Sequence, residues 1–79
     1  PQDAEFLGYG VHLEKSDEFL ADYETDLDAI SKMWVKSPEL TKVFELFSDA
    51  YDVSQRCSGS VVVGIFESAN QVWVAVFQQ

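Results

Sequence analysis

Seven of the fifteen residues in the stretch EKSDEFLADYETDLD are acidic, Asp17, Glu18, Asp22, Glu24, Asp26 and Asp28 among them, and Lys15 is the only base. Such a cluster can hold a divalent cation, share a proton in acid–base chemistry, or imitate a polyanion. Each use demands its own spacing. A calcium loop counted from Asp22 needs Gly at its sixth position and a bidentate Glu at its twelfth. The chain has Leu27 and Met33 there. Catalytic carboxylates must face each other across a cleft whose surroundings separate their pKa values. At helical period these acids spread over an outward surface and converge on no point. Neither a metal site nor a catalytic pair is expected, and no cofactor. A negative surface is what remains.

The other chemistry-bearing residues are sparse. His12 is the only histidine, and with Cys57 and scattered serines it makes an unconvincing nucleophile–base set. The GYG triplet and the lone Gly59 lack the strand, glycine-rich turn and lysine of a phosphate loop. Arg56 is a single positive neighbour for the Cys57 thiol, too little to mark it as reactive. Trp34 and Trp73 read as packing anchors, Trp73 above all for the sheet.

The acids need elements to carry them. Leu7, Tyr9, Val11 and Leu13 alternate with Phe6, Gly8, Gly10 and His12, the period of a strand. The two glycines suggest a bulge or the close approach of another backbone. Ser16 reads as an N-cap with Asp17 and Glu18 in the first turn. Leu20, Tyr23, Leu27, Ile30 and Trp34 follow at spacings of three and four, which predicts a helix over about 17–36. Lys32 and Lys36 fall at its cation-favouring end, and Asp28 and Lys32 form an i,i+4 pair. SPEL, with Ser37 as cap and Pro38 in the first turn, predicts a second helix with Leu40, Val43, Phe44, Phe47 and Tyr51 on its apolar face. After the connector VSQRCSGS, the runs VVVGIF and QVWVAVF flank ESAN and predict a hairpin whose loop ends at Asn70.

The expected fold is therefore α+β in β-α-α-β-β order. It is a three-stranded antiparallel sheet with two helices packed on one face, and residues 1–79 form one domain. Asp17, Glu18, Asp22, Glu24 and Asp28 would coat the outward face of the first helix, with Asp26 at the rim.

The hairpin raises a second question. If Glu67 opposes Gln71, one face carries Val61, Val63, Ile65, Trp73, Ala75 and Phe77. The other carries Val62, Gly64, Phe66, Val72, Val74 and Val76. A sheet with one wet side should alternate apolar with polar, and neither face does. Either the first strand and the connector wrap over the second face, or that face or the hairpin edge is an interface, most simply of a homodimer. Val62, Phe66, Val72, Trp73 and Phe77 are the candidate apolar interface or ligand residues.

Composition narrows the partner. Fourteen acids against five bases give a formal net charge of −9. That disfavours direct contact with nucleic acid or an anionic membrane surface, and favours a basic protein. A single cysteine excludes an intrachain disulfide and a Cys-only zinc site, and fits a reducing compartment. No apolar run approaches the ~20 residues of a spanning helix. The polar opening PQDAEF, beginning at Pro1 as after removal of an initiator methionine, has no signal-peptide pattern, so the cytoplasm is the expected location.

The functional expectation is a non-enzymatic, acidic protein–protein interaction domain. It would inhibit or neutralise a basic protein, such as one that binds nucleic acid, by negative-surface mimicry. Phage anti-defence inhibitors and nuclease-immunity proteins share this profile of size, charge and missing catalytic motif. The alternative is a small dimeric binding or structural module that uses an apolar sheet face or dimer cleft, its acids serving only solubility.

Overall fold

The computed structural model describes residues 3–77. In chain order its elements are β1 (Glu5–Leu13), β2 (Glu18–Thr25), β3 (Ile30–Val35), a 3₁₀ turn (Pro38–Leu40), α1 (Phe47–Ser54), β4 (Ser60–Ser68) and β5 (Gln71–Val76). The strands form one antiparallel sheet in the order β3-β2-β1-β4-β5. The molecule is thus a five-stranded antiparallel sheet with a single helix. This overturns the expected three-stranded sheet with two helices.

The expected first helix is the β2–β3 hairpin, and the reason is local. Leu20 pairs with Trp34 and Asp22 with Met33, so Ala21 is an extra, bulged residue. A bulge shifts the alternation by one, and Leu20 and Tyr23 come to lie on the same face though three residues apart. The turn, closed by Asp26 N–H donating to Ala29 C=O at 2.7 Å, supplies the next two spacings through Leu27. Ile30 to Trp34 is two strand periods. A bulge, a turn and a strand together counterfeit the spacing of a helix. Leu27, assigned to the helix core, is 98% exposed at the turn.

The second helix is displaced. Ser37 offers no side-chain cap, and only Pro38–Leu40 coil, as a 3₁₀ turn. The chain then runs extended, because its backbone bonds elsewhere. β1 pairs with β2 only through His12–Phe19 and Leu13–Glu18. Beyond these the two strands part, and segment 41–44 fills the gap. Lys42 N–H donates to Leu20 C=O at 2.8 Å, and Thr41 Oγ1–H donates to the same oxygen at 3.0 Å. Phe44 and Tyr9 exchange both backbone hydrogen bonds, each 2.8 Å. The long-range bonds outweigh local helix propensity.

Gly8 makes this wedge possible. A Cβ there would lie 2.6 Å from both the Phe44 carbonyl oxygen and Val43 Cγ1, and φ is +148°. The bulge anticipated from the glycines is also present, between Phe6 and Gly8.

Two cores result. On one face Val11, Leu20 and Val62 pack against Ala50, Val53 and Cys57 of α1 and its C-terminal turn, with Tyr9, Tyr23, Trp34 and Phe44 around them. On the other face Val63 and Ile65 are fully buried. A Cβ at Gly10 would meet the Ile65 side chain and Thr41 Oγ1, so segment 41–44 helps cover this face. The cover for the second face comes from a stretch expected to be helical, and not from the connector.

Candidate interaction surface

The acids divide between the two ends of β2. Asp17 sits in the β1–β2 turn with φ 55° and bonds inward: His12 Nε2 donates to its Oδ1 at 2.9 Å. The His12 ring is buried and stacks on Phe19, centroids 4.6 Å apart. Asp17 is therefore a fold residue as much as a surface acid. Glu18 is half-buried where β2 starts, opposite Leu13.

Asp22 and Glu24 lie on one face of the β2–β3 ribbon, opposite Met33 and Ser31. Asp26 and Asp28 flank Leu27 at its tip, and the Leu27 N–H donates to Asp26 Oδ1 at 2.7 Å. All four acids are exposed. No helix holds Asp17, Glu18, Asp22, Glu24, Asp26 and Asp28 on one side. The structure gathers the last four on a protruding ribbon and leaves Asp17 and Glu18 at its base.

The ribbon extends past the region where β1 supports β2, and the molecule is elongated, 45 × 23 × 23 Å. Its root is fixed. Lys32 Nζ donates to the Arg56 carbonyl at 2.7 Å, and Lys36 Nζ to that of Ser16 at 2.6 Å. Arg56, exposed after α1, is held further above its ordinary pKa by the Tyr23 hydroxyl first and by Asp52 more weakly. That hydroxyl is buried without a well-aligned hydrogen bond of its own. Among the described residues the one close ion pair is His12–Asp17, and no described base lies within ion-pair distance of the ribbon acids.

The candidate apolar residues also separate. The hairpin loop is two residues, Ala69 and Asn70, with φ 49° and 66°, so Glu67 pairs with Val72 and Ser68 with Gln71. The expected Glu67–Gln71 register was one residue off, and such a slip moves every side chain of a strand to the other face. Val62, Phe66, Trp73 and Phe77 share a face with α1, and Val72 lies on the opposite one. Val62 is fully buried in the core and unavailable to a partner. Trp73 stacks on Phe66 at 4.6 Å and its Nε1–H donates to Ser68 Oγ at 3.3 Å.

From this pair a row of rings runs through Phe6 and Tyr9 to Phe47 and Tyr51. Strand alternation sets Phe6 and Tyr9 on opposite faces; the register shift between Phe6 and Gly8 brings their rings together, and Tyr9 reaches Phe47 of α1. Among the described residues no three metal-ligating side chains converge and no ligand-sized cavity forms.

Comparison with protein-family models, curated proteins and solved structures yields no match to this chain. The functional reading therefore rests on the surface itself. No helix among the described residues is long and apolar enough to cross a membrane. What the surface offers is shape and charge: a two-stranded projection with exposed carboxylates and an apolar tip.

Proposed function

We propose that this protein is an acidic interaction module that inhibits or neutralises a basic protein by inserting its β2–β3 ribbon into a positively charged groove. The observation that carries the reading is the ribbon tip. Asp22, Glu24, Asp26 and Asp28 are exposed with no ion-pair partner among the described residues, around a Leu27 that is 98% exposed. A hairpin anchored at its root and carrying spaced carboxylates suits a groove shaped for a phosphate backbone. An apolar tip adds desolvated contact at the bottom of the groove. Charge complementarity of this kind steers encounter and makes binding salt-sensitive. The acids thereby act as a contact surface, and the sheet behind them as a handle.

The test is affinity capture from lysate at low and high salt, comparing the wild type with the triple reversal Asp22→Lys, Glu24→Lys, Asp28→Lys. The wild type should retain a basic protein at low salt, release it at high salt, and lose it to competing heparin. If the reversed protein holds the same partner equally well at low salt, the reading is wrong. Leu27→Asp separates the tip from the charges: it should weaken capture while leaving the salt dependence in place.

A further inference from the structure

The two outer edges of the sheet differ. An unpaired edge strand presents backbone donors and acceptors to any other chain, and proteins guard such edges with charge or proline. β3 carries Lys32 at its middle and Lys36 just beyond its end. β5 has no such guard. From Ser68 to Phe77 there is no charged residue and no proline.

The geometry of the hairpin says which groups are free. With a two-residue loop, Ser68 and Gln71 are the closing hydrogen-bonded pair, and Phe66–Trp73 and Gly64–Ala75 follow by alternation. The N–H and C=O groups of Val72, Val74 and Val76 therefore point away from β4. The 3₁₀ turn comes alongside β5, yet no backbone bond joins them among the described residues.

We propose that this edge pairs with the same edge of a second copy of the chain, antiparallel, across a two-fold axis at Val74. The choice of a second copy rests on how the strand matches itself. Centring on Val74 sets Val74 against Val74 and Val72 against Val76 as hydrogen-bonded pairs. It also sets Trp73 against Ala75 on the face shared with α1, twice over, so a large ring meets a small side chain in both halves. A basic partner would find no charge on this strand to recognise.

The flank has the right character too: Leu40 of the 3₁₀ turn, Val76 and Phe77 are all exposed beside it. A standard stable interface takes about 800 Å² from each partner, roughly one-seventh of this chain's 5376 Å². The six residues of β5 and this flank are what each copy has to supply it. The lysine-guarded β3 edge stops the sheet from growing further, so association closes at two.

Each copy has a formal net charge of −9, and Glu67 stands directly opposite Val72. Self-association should therefore strengthen as salt screens the repulsion, whereas ribbon docking weakens. Sedimentation velocity over micromolar to millimolar concentration, at low and high salt, tests the proposal. The wild type should be a monomer–dimer system that tightens with salt. Val74→Pro removes an outward donor without touching the β4–β5 ladder, a position where an edge strand tolerates proline. It should keep the wild-type circular dichroism and weaken dimerisation at least tenfold.

If Val74→Pro does not fold, Val76→Lys at the exposed flank replaces it, with the same expected loss. The triple ribbon reversal should remain dimeric, which separates this proposal from the ribbon reading. A wild type that stays monomeric throughout, a folded edge variant that dimerises normally, or growth beyond the dimer would each overturn it.

Discussion

Replacing Gly8 by alanine puts a methyl group where segment 41–44 runs. The new Cβ would sit 2.6 Å from the Phe44 carbonyl oxygen and 2.6 Å from Val43 Cγ1. The carbonyl is backbone and cannot rotate aside. It is also half of the paired hydrogen bonds to Tyr9, both 2.8 Å, so relief means prising β1 from the wedge. Overpacking of this kind costs about 1–3 kcal/mol. Holding a non-glycine residue at a φ of +148° adds about 1–2 kcal/mol.

Together the loss should be about 3 kcal/mol, against a total of roughly 4–12 kcal/mol for a domain of this length. The melting temperature should fall by about 12–24 °C. Gly59→Ala is the control. Its φ is +83° but nothing lies within 4 Å of the added Cβ, so only the conformational cost of about 1–2 kcal/mol applies. Urea unfolding followed by tryptophan fluorescence gives both numbers. Amide exchange at Tyr9 and Phe44 should quicken selectively in the Gly8 variant. If Gly8→Ala costs no more than Gly59→Ala, the wedge does not hold the sheet together as described.

Two further substitutions probe the turns. Ala69 occupies a left-handed position with φ 49°, so Ala69→Gly should raise stability by about 1 kcal/mol in the same urea assay. Asp17→Ala strands the buried His12 Nε2–H and leaves alanine at φ 55°, a loss of about 2 kcal/mol. Asp17→Asn keeps an acceptor and tolerates that backbone, and should lose less than half as much by thermal melting.

The sequence carried some of this fold openly. β1 was legible because Leu7 to Leu13 alternate, and the C-terminal hairpin because two β-branched runs flank a turn. Gly8 even announced both the bulge and the approaching backbone. The β2–β3 ribbon was not legible, since the Ala21 bulge turns a period of two into an apparent three. Segment 41–44 was hidden for another reason: its partners, Leu20 and Tyr9, are remote in sequence, and nothing local marks an extended wedge.

The acidic stretch was visible as charge, but its shape depended on that misread period, so four acids moved from a helix face to a ribbon. The apolar candidates were split between two faces by a single residue of loop length. A loop of three and a loop of two are equally plausible between Phe66 and Gln71, and each assigns Trp73 to a different face.

The order of the strands has a consequence for how the chain reaches this state. β2–β3 and β4–β5 join neighbours in sequence, while the central β1–β4 ladder joins Glu5 to Glu67 and Leu13 to Ser60. Closing that distance is the slow, entropically expensive event. The folding rate should therefore answer to changes along β1 and β4 and ignore those in the distal ribbon. The exposed residues of the ribbon can thus be exchanged without slowing the assembly of the body that carries them. The order of assembly and the chemistry of the projecting surface are set by different parts of the chain.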